Sequence, residues 1–210
     1  MKIAILSDIH GNAKALKAVI DDMNRQEVDE IFILGDVVIK GPESQKTYDL
    51  IVGLNPTVWI KGNTEEFFNL IDDDFVPEGE MEKRIYSEFQ YTLDTLSEDA
   101  INHLKDLPED DRFEVDGVRI LCVHGSDLIL HEQVGIMMPE HELKAMLRRM
   151  DADIMLCGHT HWPYSATFDG RSVINVGSVG LPKDRFGATY VILEFENGTF
   201  SHSIRRVVYE

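Results

Sequence analysis

The chain has 210 residues, 43% hydrophobic and 28% charged, which fits one large globular domain or two small ones with an ordinary wetted surface. A formal net charge of −18 argues against a general binder of nucleic acid or anionic membrane, since such proteins present basic patches to phosphate. No stretch approaches the roughly 20 apolar residues that span a bilayer, and Cys122 and Cys157, both inside apolar runs, are too few for a disulfide framework. Buried, reduced thiols in a cytoplasmic protein are the expectation.

KIAILS (2–7) reads as a short buried strand; Asp8 and His10 interrupt the apolar run behind it, so the N-terminus resembles a first strand more than a cleaved leader. Leu16, Val19, Ile20 and Met23 then fall at helical spacing. EIFILG (30–35) predicts a second strand, a helix follows near 44–53, and TVWIKG (57–62) predicts a third strand. Strands separated by helices imply a parallel sheet with right-handed crossovers. From about Glu65 to Asp111 the alternation breaks into a helical insertion. Ile85, Phe89, Leu93 and Leu96 form one apolar stripe, and Ser97 suits an N-cap with Glu98 and Asp99 behind it. From Asp72 to Asp111 there are 14 acidic residues against three basic ones, a run that reads as a solvated face. The second half is rich in strands, with hairpin signals at Asp116-Gly117, Asp169-Gly170 and Asn197-Gly198. One helix (139–149) and the strand DIMLCG (153–158) lie between them. No repeat, low-complexity tract or linker divides the chain, so a single domain over 1–210 is expected.

Polar residues recur where strands end. Asp8 and His10 follow the first strand, Asp36 the second and Asn63 the third; His124 ends CVHG, and His159 and His161 end LCGHTH. On an extended backbone His159 and His161 would project to the same side. That arrangement suits a metal ion, or equally a pair of solvated loop histidines. Singly, Asp36 could form a turn, Asn63 an Asx turn and His124 a satisfied core contact. Together, seven such residues beside glycines point to one site in the crevice beyond the carboxyl ends of the strands.

DxH, GD, GN, HG and GHxH, in this order, resemble the calcineurin-like metallophosphoesterase superfamily. The VHGS and NVGSVGLPKD (175–184) stretches are most similar to its small bacterial and archaeal phosphodiesterase branch. The resemblance covers residue 2 to about 196, with the insertion outside its motifs. It implies a four-layer α/β/β/α sandwich of two mixed sheets with a dinuclear metal centre. By the same resemblance, Asp8, His10, Asp36 and His161 would hold one metal and Asp36, Asn63, His124 and His159 the other. Imidazole and carboxylate ligands suit Mn, Fe, Zn or Ni better than Ca or Mg. The implied activity is hydrolysis of phosphodiester or phosphoanhydride bonds, dinucleoside polyphosphates included, by a hydroxide bridging two ions about 3.5–4 Å apart. Asp36, Asn63 and His124 would stand nearest the reacting atoms. A phosphate-containing small molecule is the expected partner, not long nucleic acid or a membrane. A monoester or protein phosphatase, and a non-catalytic scaffold like the superfamily's retromer subunit, are the alternatives.

Three departures from the family pattern bear on substrate. Monoesterases commonly read GNH[DE], with that histidine protonating the leaving group; here the stretch is GNTE, and Thr64 is no useful acid at neutral pH. GDVVIKG offers Lys40 where the phosphatase branch has an arginine, and Lys183 also stands where arginine is common. Lys40, Thr64, Lys183 and Arg185 are thus the candidate substrate contacts, with His131 and His141 as other proton donors. The insertion, directly behind Asn63, is expected to act as a lid or substrate wall, or as a dimer contact.

Overall fold

In β1 (Lys2–Leu6) every residue after Lys2 is buried, because Ile3 and Ile5 face one apolar layer while Ala4 and Leu6 face another. A continuous apolar run of this kind marks a strand covered on both faces. The computed structural model describes residues 1–72 and 74–209; Asp73, inside the acidic run, and Glu210 lie outside the described residues. β1 pairs in parallel with β2 (Glu30–Ile33), and β2 with β3 (Val58–Trp59). The second sheet takes β4 (Asp110–Val115), β5 (Val118–Val123), β6 (Ile154–Cys157), β7 (Tyr164–Phe168) and β8 (Arg171–Asn175). Its order is β4-β5-β6-β8-β7, parallel in the middle and antiparallel at both edges. The last two strands, β9 (Ala188–Glu196) and β10 (Thr199–Val207), return antiparallel to the first sheet, giving the order β10-β9-β1-β2-β3.

The two mixed sheets pack face to face through Ile3, Ile5, Phe32 and Leu34 against Ile120, Cys122, Ile154 and Leu156. The helices α1 (Ala13–Gln26), α2 (Ser44–Leu54), α3 (Phe67–Leu70), α4 (Gly79–Thr95) and α5 (Glu98–Asp106) lie on the first sheet's side. α6 (Glu140–Arg149) covers the second sheet through Leu143, Met146 and Leu147. Four layers result, as the resemblance implies. Cys122 sits between the sheets and Cys157 under α6, both unpaired and buried, and burial pushes both thiols up. No described helix is long and apolar enough to cross a membrane.

The three hairpin signals form tight turns with positive φ at both central residues: Asp116 and Gly117, Asp169 and Gly170, Asn197 and Gly198. Ser97 caps α5 by accepting from the Ala100 N–H at 3.2 Å. The third strand is shorter than predicted. Ile60 N still donates to Ile33 O, but Lys61 N turns to Pro108 O and leaves the ladder. The insertion ends earlier than expected, since Asp110 and Asp111 already belong to β4.

Candidate metal centre

The turns after β1, β2, β5 and β6 converge at one edge of the sandwich, tied by main-chain hydrogen bonds. Asp8 N donates to Gly35 O (3.1 Å), His10 N to Asp36 O (2.9 Å) and Gly158 N to His124 O (2.9 Å). The sheets touch at Gly158: a Cβ there would lie 2.1 Å from Ser7 Oγ and 2.6 Å from Asp8 Oδ2. Five of the seven predicted ligands have left-handed backbone: Asp8 (φ 54°), His10 (49°), Asp36 (53°), His159 (65°) and His161 (60°). That conformation costs a non-glycine residue about 1–2 kcal/mol and persists where neighbours over-determine it, commonly at functional sites. The His159-Thr160-His161 segment is a turn and not an extended strand end. Its turn sends the two imidazoles to different places.

His161 Nε2 lies 3.1 Å from His10 Nε2 and 3.0 Å from Asp8 Oδ1. His159 Nδ1 lies 2.7 Å from Asn63 Oδ1, which is 3.1 Å from His124 Nε2. Asp36 stands between these groups, with Oδ2 3.7 Å from His10 Nε2 and Oδ1 3.5 Å from His124 Nε2. Three rings are oriented from behind by carbonyls: His10 Nδ1 donates to Ile39 O, His124 Nδ1 to Leu34 O and His161 Nδ1 to Leu181 O. A carbonyl only accepts, so Nδ1 carries the hydrogen and the neutral ring turns its Nε2 lone pair inward. Asp8 Oδ1 is buried without a hydrogen-bond partner among the described residues. Facing lone pairs and an orphaned carboxylate oxygen are unfavourable unless a cation or an added proton lies among them. Asp8, His10 and His161 form one group able to hold an ion, and Asp8, Asp36 and His124 another.

The electrostatics fit that reading. Burial alone would raise Asp8, but the surrounding imidazoles of His10, His161 and His124 hold it well below the usual carboxylate range. Burial works against Asp36 too, yet His124 and His10 bring it down. Burial would lower His124; Asp36 and Asp8 outweigh it and raise the imidazole. His159 is lowered, first by burial and then by His124.

A cavity of about 340 Å³ opens on the cluster, lined by Asp36, Asn63, His159 and His161, by Lys40 and Lys183, and by Ile136, Met137 and Trp162. Two candidate contacts, Lys40 and Lys183, are thus in place. Thr64 is not: it is buried, and its N–H and hydroxyl both donate to Asp36 Oδ1, at 2.8 and 2.9 Å. Arg185 is exposed and outside the lining, as are His131 and His141. No described residue of the insertion lines the cavity. Its helices pack on the first sheet's side through Phe89, Leu96 and Leu104, and Ser87, Glu88 and Tyr91 meet Lys40 at a neighbouring cleft. At this cavity the expected lid or wall has no lining residue among the described residues of the insertion.

Sequence reasoning passed over the supports. Glu65, fully buried, accepts from the N–H groups of Asp36, Val37 and Gly62 at 2.7–2.8 Å, clamping two turns together. Burial and the Asp36 charge push its carboxyl up to about 7. Asn175 Nδ2 donates toward Val134 O, Gly158 O and Thr160 Oγ1, and Ser178 Oγ donates to Asp8 O. The signals for these were slight: Asn175 and Ser178 are polar residues inside an apolar run, and Glu65 closes the GNTE stretch.

A family model, the calcineurin-like phosphoesterase superfamily domain, matches residues 1–198. The chain belongs to this superfamily. An uncharacterized protein of Methanocaldococcus jannaschii is 25% identical over 229 aligned positions, covering 99% of this chain and 88% of that one. Among solved structures, a metallophosphoesterase from Sphaerobacter thermophilus is 26% identical with a TM-score of 0.79, covering 100% of this chain and 89% of that one. A hypothetical protein from Pyrococcus horikoshii shares the fold at 21% identity and a TM-score of 0.87, covering 100% and 88%. A calcineurin-like phosphoesterase acts on phosphate esters with divalent metal ions, and the buried cluster provides residues to hold them.

Proposed function

We propose that this calcineurin-like phosphoesterase hydrolyses phosphodiester or phosphoanhydride bonds at a centre of two divalent transition-metal ions, Mn, Fe, Zn or Ni. The observation that carries the reading is the doubled donor cluster with Asp36 between its halves and Asp8 Oδ1 unpartnered. Asp8, His10, Asp36 and His161 are assigned to one ion, and Asp36, Asn63, His124 and His159 to the other. The ions supply Lewis acidity and an activated water at neutral pH.

The chain's own residues do the rest. The carbonyl-anchored imidazoles keep their lone pairs inward, Glu65 and Thr64 hold Asp36 in place, and Lys40 and Lys183 offer positive charge to phosphate oxygens. The bond preference follows from what Thr64 does. Its hydroxyl hydrogen is committed to Asp36, so it has none for a departing oxygen. A positioned general acid contributes about 10²–10⁴-fold, a loss felt most by an alkoxide leaving group. Aryl oxides and nucleotide phosphates depart without that help, which favours aryl diesters and polyphosphate anhydrides over alkyl monoesters.

The test is a turnover panel of aryl diesters, dinucleoside polyphosphates and phosphoserine peptides after Mn addition, with metal content measured on the same protein. Faster cleavage of phosphoserine than of both other classes would overturn the bond preference. Less than one bound metal per chain together with no hydrolysis would favour a non-catalytic scaffold.

A further inference from the structure

The cavity beside the cluster is not polar throughout. Ile136 (65% exposed), Met137 (85%) and Trp162 (43%) line it alongside the ligand residues. Large apolar side chains beside a few convergent polar groups are the usual make-up of a ligand pocket. The backbone that carries Trp162 is held in place. Its main-chain N–H donates to Thr160 Oγ1 at 3.2 Å, the same hydroxyl receives the buried Asn175 amide at 3.0 Å, and Pro163 restricts the Trp162 backbone to extended conformations. Asn175 also reaches Val134 O at 2.8 Å, and Val134 is fully buried. One buried amide thus anchors both the turn carrying Trp162 and the loop carrying Ile136 and Met137.

The occupant follows from charge and shape. A tryptophan face attracts cations, but Lys40 and Lys183 line the same cavity and disfavour a cationic headgroup beside them. An aliphatic chain would draw no particular advantage from an indole. A planar ring gains from both the indole face and the methionine sulfur. We propose that Trp162, with Ile136 and Met137, seats an aromatic ring, nucleobase or aryl, carried by the phosphoester whose phosphate lies at the metal cluster. This rests on the hydrolase reading above and narrows its substrate to ring-bearing phosphoesters, as against sugar or alkyl phosphates.

The experiment compares AMP, phenyl phosphate and ribose 5-phosphate as ligands of the Mn-loaded full chain. A Trp59→Phe background leaves Trp162 as the sole tryptophan. AMP is expected to quench Trp162 emission and ribose 5-phosphate to leave it unchanged. In equilibrium dialysis AMP should bind about ten-fold or more tighter than ribose 5-phosphate, the scale of base–aromatic stacking. Trp162→Ala should erase that gap and Trp162→Phe should keep most of it. An advantage for AMP alone identifies the ring as a nucleobase, and one shared by phenyl phosphate identifies any aryl group; both sustain the proposal. Equal binding of AMP and ribose 5-phosphate by the wild type, or an AMP advantage that survives in Trp162→Ala, overturns it. The hydrolase reading fails separately, by absence of aryl diester turnover, and the fluorescence and dialysis results do not depend on turnover.

Discussion

The metal cluster and the acidic insertion both leave from strand ends, and they are built by opposite means. The cluster is small, buried and held on left-handed backbone by hydrogen bonds between turns far apart in sequence. The insertion is large, mostly exposed and helical, and it is attached by a few apolar residues such as Phe89 and Leu104. The contrast separates net charge from local potential. No described residue of the acidic run lines the cavity, whereas the cavity itself is lined by two lysines. A chain at −18 overall can therefore still attract phosphate where its site opens.

The largest effect is expected at the cluster's shared member. Asp36→Asn should lower aryl diester turnover by at least about 10²-fold and reduce bound metal, since the two carboxylate oxygens face opposite donor groups and one of them is replaced by an amide nitrogen. Near-normal turnover with full metal content would remove Asp36 from the centre. One layer out, Glu65→Gln places an amide hydrogen against main-chain N–H groups that now point at a carboxylate. A loss of about 10–100-fold in metal affinity is expected, read by titration with a chelator competitor. An unchanged affinity would show that the two turns hold without the clamp.

A third effect falls on stability. Gly158→Ala drives a methyl into Ser7 and Asp8 where the two sheets meet. Overpacking at that point should cost about 1–3 kcal/mol in chemical denaturation, with metal binding weakened alongside. Smallest is the paired change Glu80→Gln and Glu82→Gln on exposed α4, expected to stay within about 0.5 kcal/mol and to leave kcat/KM unaltered. A several-fold change in kcat/KM would mean that the insertion's charge reaches the cavity after all, and the contrast drawn above would collapse.

Much was legible from local chemistry. Continuous apolar runs marked doubly covered strands, Asp-Gly and Asn-Gly pairs formed the tight hairpins, and Ser97 took its cap, because each depends on neighbours in sequence. The seven polar strand ends were readable for a related reason: parallel strands end on the same side of their sheet, and the two packed sheets bring those ends to one edge. What eluded the sequence was whatever a distant partner decides. β3 is cut short because Pro108 captures the Lys61 N–H. Thr64 turns away from the cavity because the Asp36 carboxylate accepts its hydroxyl.

The succession of strands and helices and the identity of the polar groups at the strand ends were thus legible in the sequence alone, since hydrophobic periodicity and turn chemistry act over a few residues; the four-layer arrangement was implied by the family resemblance and not by periodicity. Only the tertiary structure decided how His159 and His161 diverge, which lysines face the cavity and which side chains stand behind the cluster. Those outcomes depend on left-handed turns that are stable only when the neighbouring turn supplies their hydrogen bonds. They depend too on two sheets approaching closely enough at Gly158 for a buried carboxylate and an imidazole to meet.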